Sequence, residues 1–260
     1  MQIWEAIVLG AVQGFSEFLP ISSSGHLILL QNLFGIQNNV VFYSIMLHVG
    51  TLIPVVLVLY RQIFDAFKSW KKFGLWVLAS VPAGVAGLLI TKLVDLDLLF
   101  EANIYLLAIT FMLTAIELFY SERRCKKVKM TNDINVKTAL FMGIGQAFGV
   151  VPGLSRSGTT ITGGCLAKVD KEKNANFTFL MSIPIIIAAA GMQTIGLITD
   201  GSTASINVPA LLIGMFTAAI TGYIAIKFML KIIKKANYKW FSLYLIGISI
   251  FTLISYFVKF

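Results

Sequence analysis

Six long apolar stretches occupy most of the chain, and each is long enough to cross a lipid bilayer. A transmembrane helix needs roughly 20 predominantly apolar residues. The stretches that meet this length are Val41–Tyr60, Gly74–Val94, Asn103–Tyr120, Asn176–Thr199, Val208–Phe228 and Trp240–Val258. Charged residues make up only 13% of the chain, about half the share found in a soluble domain. The sequence therefore predicts an all-α polytopic membrane protein.

Two further apolar stretches, around residues 3–34 and 137–167, are interrupted by Pro, Gly and Ser clusters. Interrupted helices of this kind are tolerated at membrane depth when they are buried in protein or line a cavity. Two ordinary kinked helices are the alternative. If each stretch enters and leaves on one face, the chain has six transmembrane helices plus two re-entrant helical segments.

The positive charges favour this number of crossings. With two re-entrant segments, all of the 21 Lys and Arg residues fall on one face except Lys92, Arg156 and Lys259. The acidic residues on the opposite face are Asp95, Asp97, Glu101 and Asp200. Because cytoplasmic loops carry the excess of Lys and Arg, both termini are predicted to lie outside. The net charge of +9 is then a topological signal, and nucleic acid is not an expected partner.

A shift of 133 residues aligns the two interrupted stretches without a gap. The identities are Gly10 with Gly143, Gln13 with Gln146, Phe15 with Phe148, Ser22 with Ser155, Ser24 with Ser157 and Gly25 with Gly158. Three spans follow each stretch, so the second copy is predicted to be inverted relative to the first. In such repeats the ligand site lies where the broken segments meet. We expect a single membrane domain over 1–260, with repeats over about 1–120 and about 137–260 and a basic cytoplasmic loop over about 121–136.

The first interrupted stretch contains a polar sequence that could hold a ligand. Gln13 and Glu17 are four residues apart, on one face of a short helix, which Pro20 ends. The loop that follows contains Ser22, Ser23 and Ser24. Each of these serines either contacts a ligand or caps the next helix. His26 follows directly, and Glu17 is predicted to be a general base or a metal ligand.

The second interrupted stretch contains Arg156 in a loop of small and hydroxyl-bearing residues. Its hydroxyl groups include Ser155, Ser157 and Thr160. A loop that opens onto a helix N-terminus favours anions, and an intramembrane Arg is costly unless it has a function. Arg156 is therefore predicted to bind phosphate in a bidentate manner. The alternative is a structural ion pair with Glu17 or Glu117.

Three other residues receive structural interpretations. His48 stands inside an apolar span, where a lone histidine is predicted to be structural. Cys125 and Cys165 show neither a metal-ligand spacing nor a disulfide framework. Cys125 lies in a basic loop and is expected to be a reduced thiol.

The two loops together resemble the undecaprenyl pyrophosphate phosphatase family, which is also known for bacitracin resistance. The motifs that carry the resemblance are Gln13-x-x-x-Glu17, Pro20-x-Ser22-Ser23-Ser24-Gly25-His26 and Pro152-Gly153-x-Ser155-Arg156-Ser157-Gly158-x-Thr160. The match runs essentially end to end in length and motif order. The family begins its first motif with Glu or Gln, and the Gln form found here leaves Glu17 as the single carboxylate of that motif.

The resemblance implies hydrolysis of undecaprenyl pyrophosphate to undecaprenyl phosphate and inorganic phosphate. It also implies a bacterial plasma membrane location, an active site open to the outside, and a divalent cation (Mg²⁺ or Ca²⁺) that Glu17 would bind unless it acts as the base. Arg156 would hold the pyrophosphate, Ser23 would be the nucleophile, and His26 would be an acid/base or the alternative nucleophile. The residues expected to contact the substrate are Gln13, Ser22, Ser24, Ser155, Ser157 and Thr160.

Two other functions fit parts of the pattern. Inverted repeats with re-entrant loops are also typical of transporters, so a flippase of lipid-linked phosphates is the main alternative. An intramembrane serine protease would use the Ser and His but has no need for Arg156. The expected partners are a polyprenyl pyrophosphate lipid and the bilayer, and a homodimer is a further expectation.

Overall fold

The computed structural model of the protein describes residues 1–36, 39–94, 96–199, 206–235 and 237–258. Within these ranges the regular elements are all helices, and the extended pairing is a single bridge between Asn132 and Val169. In chain order the helices are α1 (Ile3–Phe18), α2 (Ser23–Leu33), α3 (Val40–Lys68), α4 (Trp70–Leu93), α5 (Leu96–Ala102), α6 (Tyr105–Lys127), α7 (Val136–Phe148), α8 (Arg156–Leu166), α9 (Lys171–Thr199), α10 (Val208–Lys235) and α11 (Lys239–Val258). The predicted all-α class is confirmed.

Six of these helices, α3, α4, α6, α9, α10 and α11, are long and apolar enough to cross a membrane. They coincide with the six predicted spans. Their outward faces expose large apolar side chains, among them Leu57, Leu113 and Phe216, which water would not tolerate on this scale but lipid does. The chain is therefore a multi-pass membrane protein. Helix α5, which the sequence did not predict, is a short element between two of the spans.

The helix pairs α1–α2 and α7–α8 each start and finish at the same end of the molecule. In the first pair, the ring of Trp4 near the start of α1 lies 5.0 Å from the ring of Phe34 at the end of α2. Ahead of the second pair, the Asn132 N–H donates to the carbonyl of Lys168, just after α8, over 2.9 Å. Both arrangements are compatible with the predicted re-entrant segments.

The contacts at the two ends of α10 agree with the predicted sidedness of the loops. At its start, Asn207 donates through its side chain to the Met1 carbonyl (3.2 Å) and through its backbone N–H to the Tyr43 hydroxyl (2.8 Å). Beyond its other end, the Lys239 N–H donates to the Glu122 carboxylate over 2.5 Å. Three segments predicted to lie outside thus meet at the start of α10, and two segments predicted to be cytoplasmic meet beyond its other end.

Packing partners of the two halves correspond to each other. Helix α1 packs on α10, and its counterpart α7 packs on α4, which is the counterpart of α10. Helices α3 and α6 each pack on their own counterparts, α9 and α11. Both α1 and α7 use a glycine at the contact: a Cβ on Gly10 would collide with the backbone of Gly214, and one on Gly143 with the carbonyl of Ala79. Small residues let helix backbones approach closely inside membranes. This pattern is compatible with an inverted repeat, which remains a prediction together with its residue boundaries.

Cys125 and Cys165 are joined as a disulfide between α6 and α8, with their Cα atoms 5.9 Å apart. The prediction of a free Cys125 is therefore wrong. A separation of 40 residues fits no recognisable spacing pattern. The two residues meet because α8 packs against α6, a tertiary contact that spacing does not encode.

Several of the charged residues used for the topology lie outside the described part of the chain. They are Asp95, Asp200 and Lys259. The side chains of Lys92 and Asp97 are likewise outside what the structure describes. Labelling in cells tests the topology without reference to these positions.

We expect a cysteine at Ser202, which lies outside the described residues, to react with an impermeant thiol reagent added to intact cells, whereas a cysteine at Asp133 stays protected. The charge distribution places these positions on opposite faces. The native Cys125 and Cys165 are 3% and 1% exposed, so they contribute little background. The measurement is the extent of cysteine labelling before and after the cells are permeabilised. Labelling of the Asp133 variant from outside would contradict both the span count and the inverted repeat.

Candidate active site

The tips of the two interrupted stretches meet inside the helix bundle. The Ser157 hydroxyl donates to the Leu19 carbonyl over 3.1 Å, which links the second loop to the first. A Cβ on Gly25 would lie 2.9 Å from the Cα of Gly153, so the two loops touch at glycines. A ligand site at the meeting point of broken helices is the arrangement expected for repeats of this kind.

Both loops end in capped helix N-termini that point toward this meeting point. Ser22 caps α2 by accepting from the Gly25 N–H (3.3 Å), and its φ of 68° lies in the left-handed region that non-glycine residues rarely adopt. Ser155 caps α8 in the same way, accepting from the Gly158 N–H at 3.1 Å. Two helix dipoles therefore favour negative charge between the loops.

Glu17 is the centre of a polar cluster between the loops. Its Oε2 accepts from the Ser23 hydroxyl at 2.7 Å and from Gln13 Nε2 at 2.9 Å. Its Oε1 forms an ion pair with Arg156 Nη2. The Glu17 side chain is only 3% exposed, so burial makes its attraction to the guanidinium much stronger than at a surface. Residues from both interrupted stretches thus form one cluster, and the structural alternative considered for Arg156, an ion pair with Glu17, is observed.

His48, on α3, belongs to the same cluster. Its Nε2 lies 3.3 Å from the Ser23 Oγ and 3.3 Å from Glu17 Oε2. Its Nδ1 lies 2.7 Å from the Ser44 carbonyl one turn earlier. The side chain thus faces the polar centre and not an apolar surrounding, while its structural interpretation stays a prediction. The signal that could have found it is the one used for Arg156: an ionisable residue within an apolar span is a functional candidate.

A cavity of about 500 Å³ opens beside this cluster. Most of its wall is apolar and comes from α4 and α9, with Ala83, Leu88 and Ile185 among the lining residues. Its polar lining residues are Ser23, Ser24, His48, Gln146 and Arg156. An apolar chamber with a polar end suits a molecule that has an apolar chain and a charged head.

His26 is not brought to the cluster. Its Nε2 lies 2.7 Å from the Tyr244 hydroxyl and its Nδ1 2.7 Å from the Ser22 carbonyl. The ring stacks on Tyr244 and contacts the edge of Phe111. Both ring nitrogens are therefore engaged on α11 and on the backbone, away from the Ser23 hydroxyl.

The other residues predicted to contact the substrate already form hydrogen bonds within the protein. Ser22 and Ser155 are helix caps, and the Ser157 hydroxyl is bound to the Leu19 carbonyl and lies 3.2 Å from Ser155 Oγ. Thr160 donates to the Arg156 carbonyl over 2.7 Å. Of the ten predicted site residues, five reach the cluster or its cavity: Gln13, Glu17, Ser23, Ser24 and Arg156.

Comparison with known sequences assigns the family. The sequence model of the family described as bacitracin resistance protein BacA matches residues 6–251. The chain belongs to this family. It is 36% identical over 258 residues to the undecaprenyl-diphosphatase of Carboxydothermus hydrogenoformans, covering 97% of this chain and 98% of that one. The undecaprenyl-diphosphatases of Methanobrevibacter smithii (36% identity, 96% and 97% covered) and Treponema denticola (35%, 96% and 98%) are similar at the same level.

The described residues of this BacA family member do not form a preformed metal site. Both carboxylate oxygens of Glu17 are already engaged, one of them by the Arg156 guanidinium. Within the described ranges, no group of three His, Cys, Asp or Glu side chains could hold a metal ion. A cation at Glu17 would also stand beside the positive charge of Arg156. The geometry therefore does not fit Glu17 as a metal ligand in this arrangement.

Proposed function

We propose that the protein hydrolyses undecaprenyl diphosphate to undecaprenyl phosphate and inorganic phosphate. The observation that carries this function is the meeting of a serine, a carboxylate and an arginine at the polar end of an apolar cavity. The diphosphate would lie against Arg156 and the two helix N-termini, with the polyprenyl chain along the apolar wall. Family membership supports the same reaction, because the relatives are named for it.

Substrate binding requires an exchange of partners at Arg156. A guanidinium matches phosphate oxygens in a bidentate manner and leaves a single carboxylate for a more highly charged ligand. When the terminal phosphate takes Arg156, the Glu17 carboxylate loses its cation but keeps its contact with the Ser23 hydroxyl. Glu17 then becomes a better proton acceptor at the moment when the substrate is in place.

The reaction then proceeds in two displacements. Ser23 Oγ bonds to the terminal phosphorus while its proton passes to Glu17, and the bond from phosphorus to the bridging oxygen breaks with its electron pair leaving on undecaprenyl phosphate. A water molecule then attacks the phosphoserine. The bond from phosphorus to Ser23 Oγ breaks, the serine oxygen recovers its proton from Glu17, and both protons of the water leave with inorganic phosphate, which departs as dihydrogen phosphate. Arg156 balances the charge on the transferred phosphoryl group.

The requirement for Mg²⁺ or Ca²⁺ also remains a proposal. Because Glu17 is engaged, the ligands of such an ion would come mainly from the diphosphate oxygens, as is common for Mg²⁺ at phosphate sites. The ion would neutralise charge on the diphosphate. No step above depends on it.

We further propose that the protein acts in a bacterial plasma membrane with the site and both termini facing outside. This orientation is supported by two basic segments, predicted to be cytoplasmic, that meet at Glu122 and Lys239 beyond the end of α10 opposite Met1 and Asn207. In that orientation the enzyme would recycle the lipid carrier for envelope polymers on the outer face. A homodimer remains a further proposal.

We expect the purified protein in detergent to release inorganic phosphate from undecaprenyl diphosphate. A detergent micelle has no two sides, so a flippase alone would release none. The measurement is phosphate release over time, with a chelator and then with Mg²⁺ restored. Transfer of lipid across vesicles without phosphate release would favour the flippase. If phosphate release is insensitive to chelator, the cation proposal fails and the phosphatase remains.

A further inference from the structure

His48 contacts the proposed nucleophile and the proposed base through a single atom. Nε2 is 3.3 Å from Ser23 Oγ and 3.3 Å from Glu17 Oε2, within the outer range of a hydrogen bond. The side chain is 18% exposed and lines the apolar cavity. It comes from α3, outside both interrupted stretches, so it joins a third element to the cluster.

The imidazole ring is held in one orientation. Nδ1 lies 2.7 Å from the Ser44 carbonyl, so Nδ1 carries the proton and Nε2 faces the cluster. The Ser44 hydroxyl is in turn 3.1 Å from Gln31 Nε2 of α2. Gln31 also donates to the Val40 carbonyl at 3.3 Å. The chain of contacts fixes the ring relative to α2, the helix that Ser23 begins.

We propose that His48 is a positioning residue that holds the Ser23 hydroxyl and the Glu17 carboxylate together during the reaction. This inference rests on the proposed function. Before substrate binds, Arg156 and Gln13 both restrain the carboxylate. Once the diphosphate takes Arg156, His48 is, among the described residues, the remaining restraint from outside the first interrupted stretch. When protonated, Nε2 donates to either oxygen. When neutral, it can only accept, so it shares the one Ser23 hydroxyl proton with Glu17 Oε2 and restrains the carboxylate through the serine.

A positioning role differs from proton transfer in what can replace the histidine. A glutamine at position 48 offers a hydrogen-bonding amide of similar reach but takes up no proton. An alanine offers neither. If His48 acts by hydrogen bonding alone, glutamine restores activity and alanine does not.

We expect His48→Ala to lower kcat roughly 10- to 100-fold, the scale of a small misplacement of reacting groups, with KM changed far less. His48→Gln should recover most of the wild-type kcat. Ile53→Ala is the matched control, since Ile53 lies on the same helix, is 52% exposed and should leave kcat unchanged. The measurements are kcat and KM for phosphate release from undecaprenyl diphosphate, with thermal unfolding midpoints for each variant.

Two results would overturn the positioning role: a His48→Gln variant as impaired as His48→Ala, which would assign proton transfer to the imidazole, or a fully active His48→Ala variant. A loss of kcat that only follows a lower unfolding midpoint would also count against it. Assaying Ser23→Ala in the same series separates a failure of the proposed function from a failure of the role proposed for His48. Full activity of Ser23→Ala would refute the proposed nucleophile, whereas an inactive Ser23→Ala with an unaffected His48→Ala refutes only the role of His48.

Discussion

We expect Ser23→Ala to abolish phosphate release from undecaprenyl diphosphate, with a loss of roughly 10³-fold or more, the scale seen when a serine nucleophile is removed. The hydroxyl donates to Glu17 at 2.7 Å and lines the cavity that would hold the substrate. His26→Gln should retain substantial activity, because both ring nitrogens of His26 are engaged elsewhere. The assay is the initial rate of phosphate release by the purified variants.

The control for Ser23→Ala is Ser16→Ala. Ser16 is a buried serine of α1 that donates to the carbonyl of Val12 and does not line the cavity. It should remain active. Trapping of a phosphohistidine, or an inactive His26→Gln beside an active Ser23→Ala, would reverse the assignment. Equal and modest losses for Ser23→Ala and His26→Gln would indicate direct attack by water.

We expect Arg156→Lys to leave the protein folded but to lower kcat by roughly 10²- to 10³-fold, about 2.7–4 kcal/mol of transition-state stabilisation. Lysine keeps the positive charge, so the buried Glu17 carboxylate retains a partner and the cost of an unpaired buried charge is avoided. An ammonium cannot reproduce the planar fork that binds two phosphate oxygens at once. Turnover is measured together with binding of inorganic pyrophosphate, which should also weaken.

The matched control for Arg156→Lys is Arg61→Lys, the same exchange at a position on α3 where the arginine side chain contacts only Tyr60 among the interactions described. It should leave turnover unchanged. Near wild-type turnover of Arg156→Lys would make Arg156 a structural partner of Glu17 and nothing more. In that case a different cation, protein-derived or bound, must hold the diphosphate.

The sequence predicts the six spans well because span length and hydropathy are set by the bilayer itself. The helices extend beyond the predicted spans mainly at the basic ends, for example to Lys68 on α3 and Lys127 on α6. There the chain leaves the apolar region while the backbone stays helical. The short helix α5 lies in a stretch too short to show a span or a clear period.

The candidate site was only partly predictable. Arg156 was found because charge inside a membrane is expensive, Glu17 was found because of its spacing from Gln13, and the structure pairs them. The same argument applies to His48, which a sequence pattern could not link to Ser23 because the two residues lie on different helices, 25 residues apart. His26, adjacent to the serine loop in sequence, turns toward Tyr244 on the last helix. The position of His26 in the sequence correctly indicated that it lies beside the serine loop, but not the direction in which its side chain points.

The Glu17–Arg156 ion pair also has a consequence for product release. In the proposed mechanism, Glu17 and the phosphate compete for the Arg156 guanidinium, so the Glu17 carboxylate opposes the binding of any anion at this site. A diphosphate, with more charge and more oxygens, can displace the carboxylate. In the proposed mechanism inorganic phosphate would hold Arg156 less firmly than the diphosphate does, so the returning carboxylate would speed its departure. The same competition would exclude weakly charged anions. Turnover would then depend on a substrate that displaces Glu17 from Arg156 and a product that Glu17 displaces in turn.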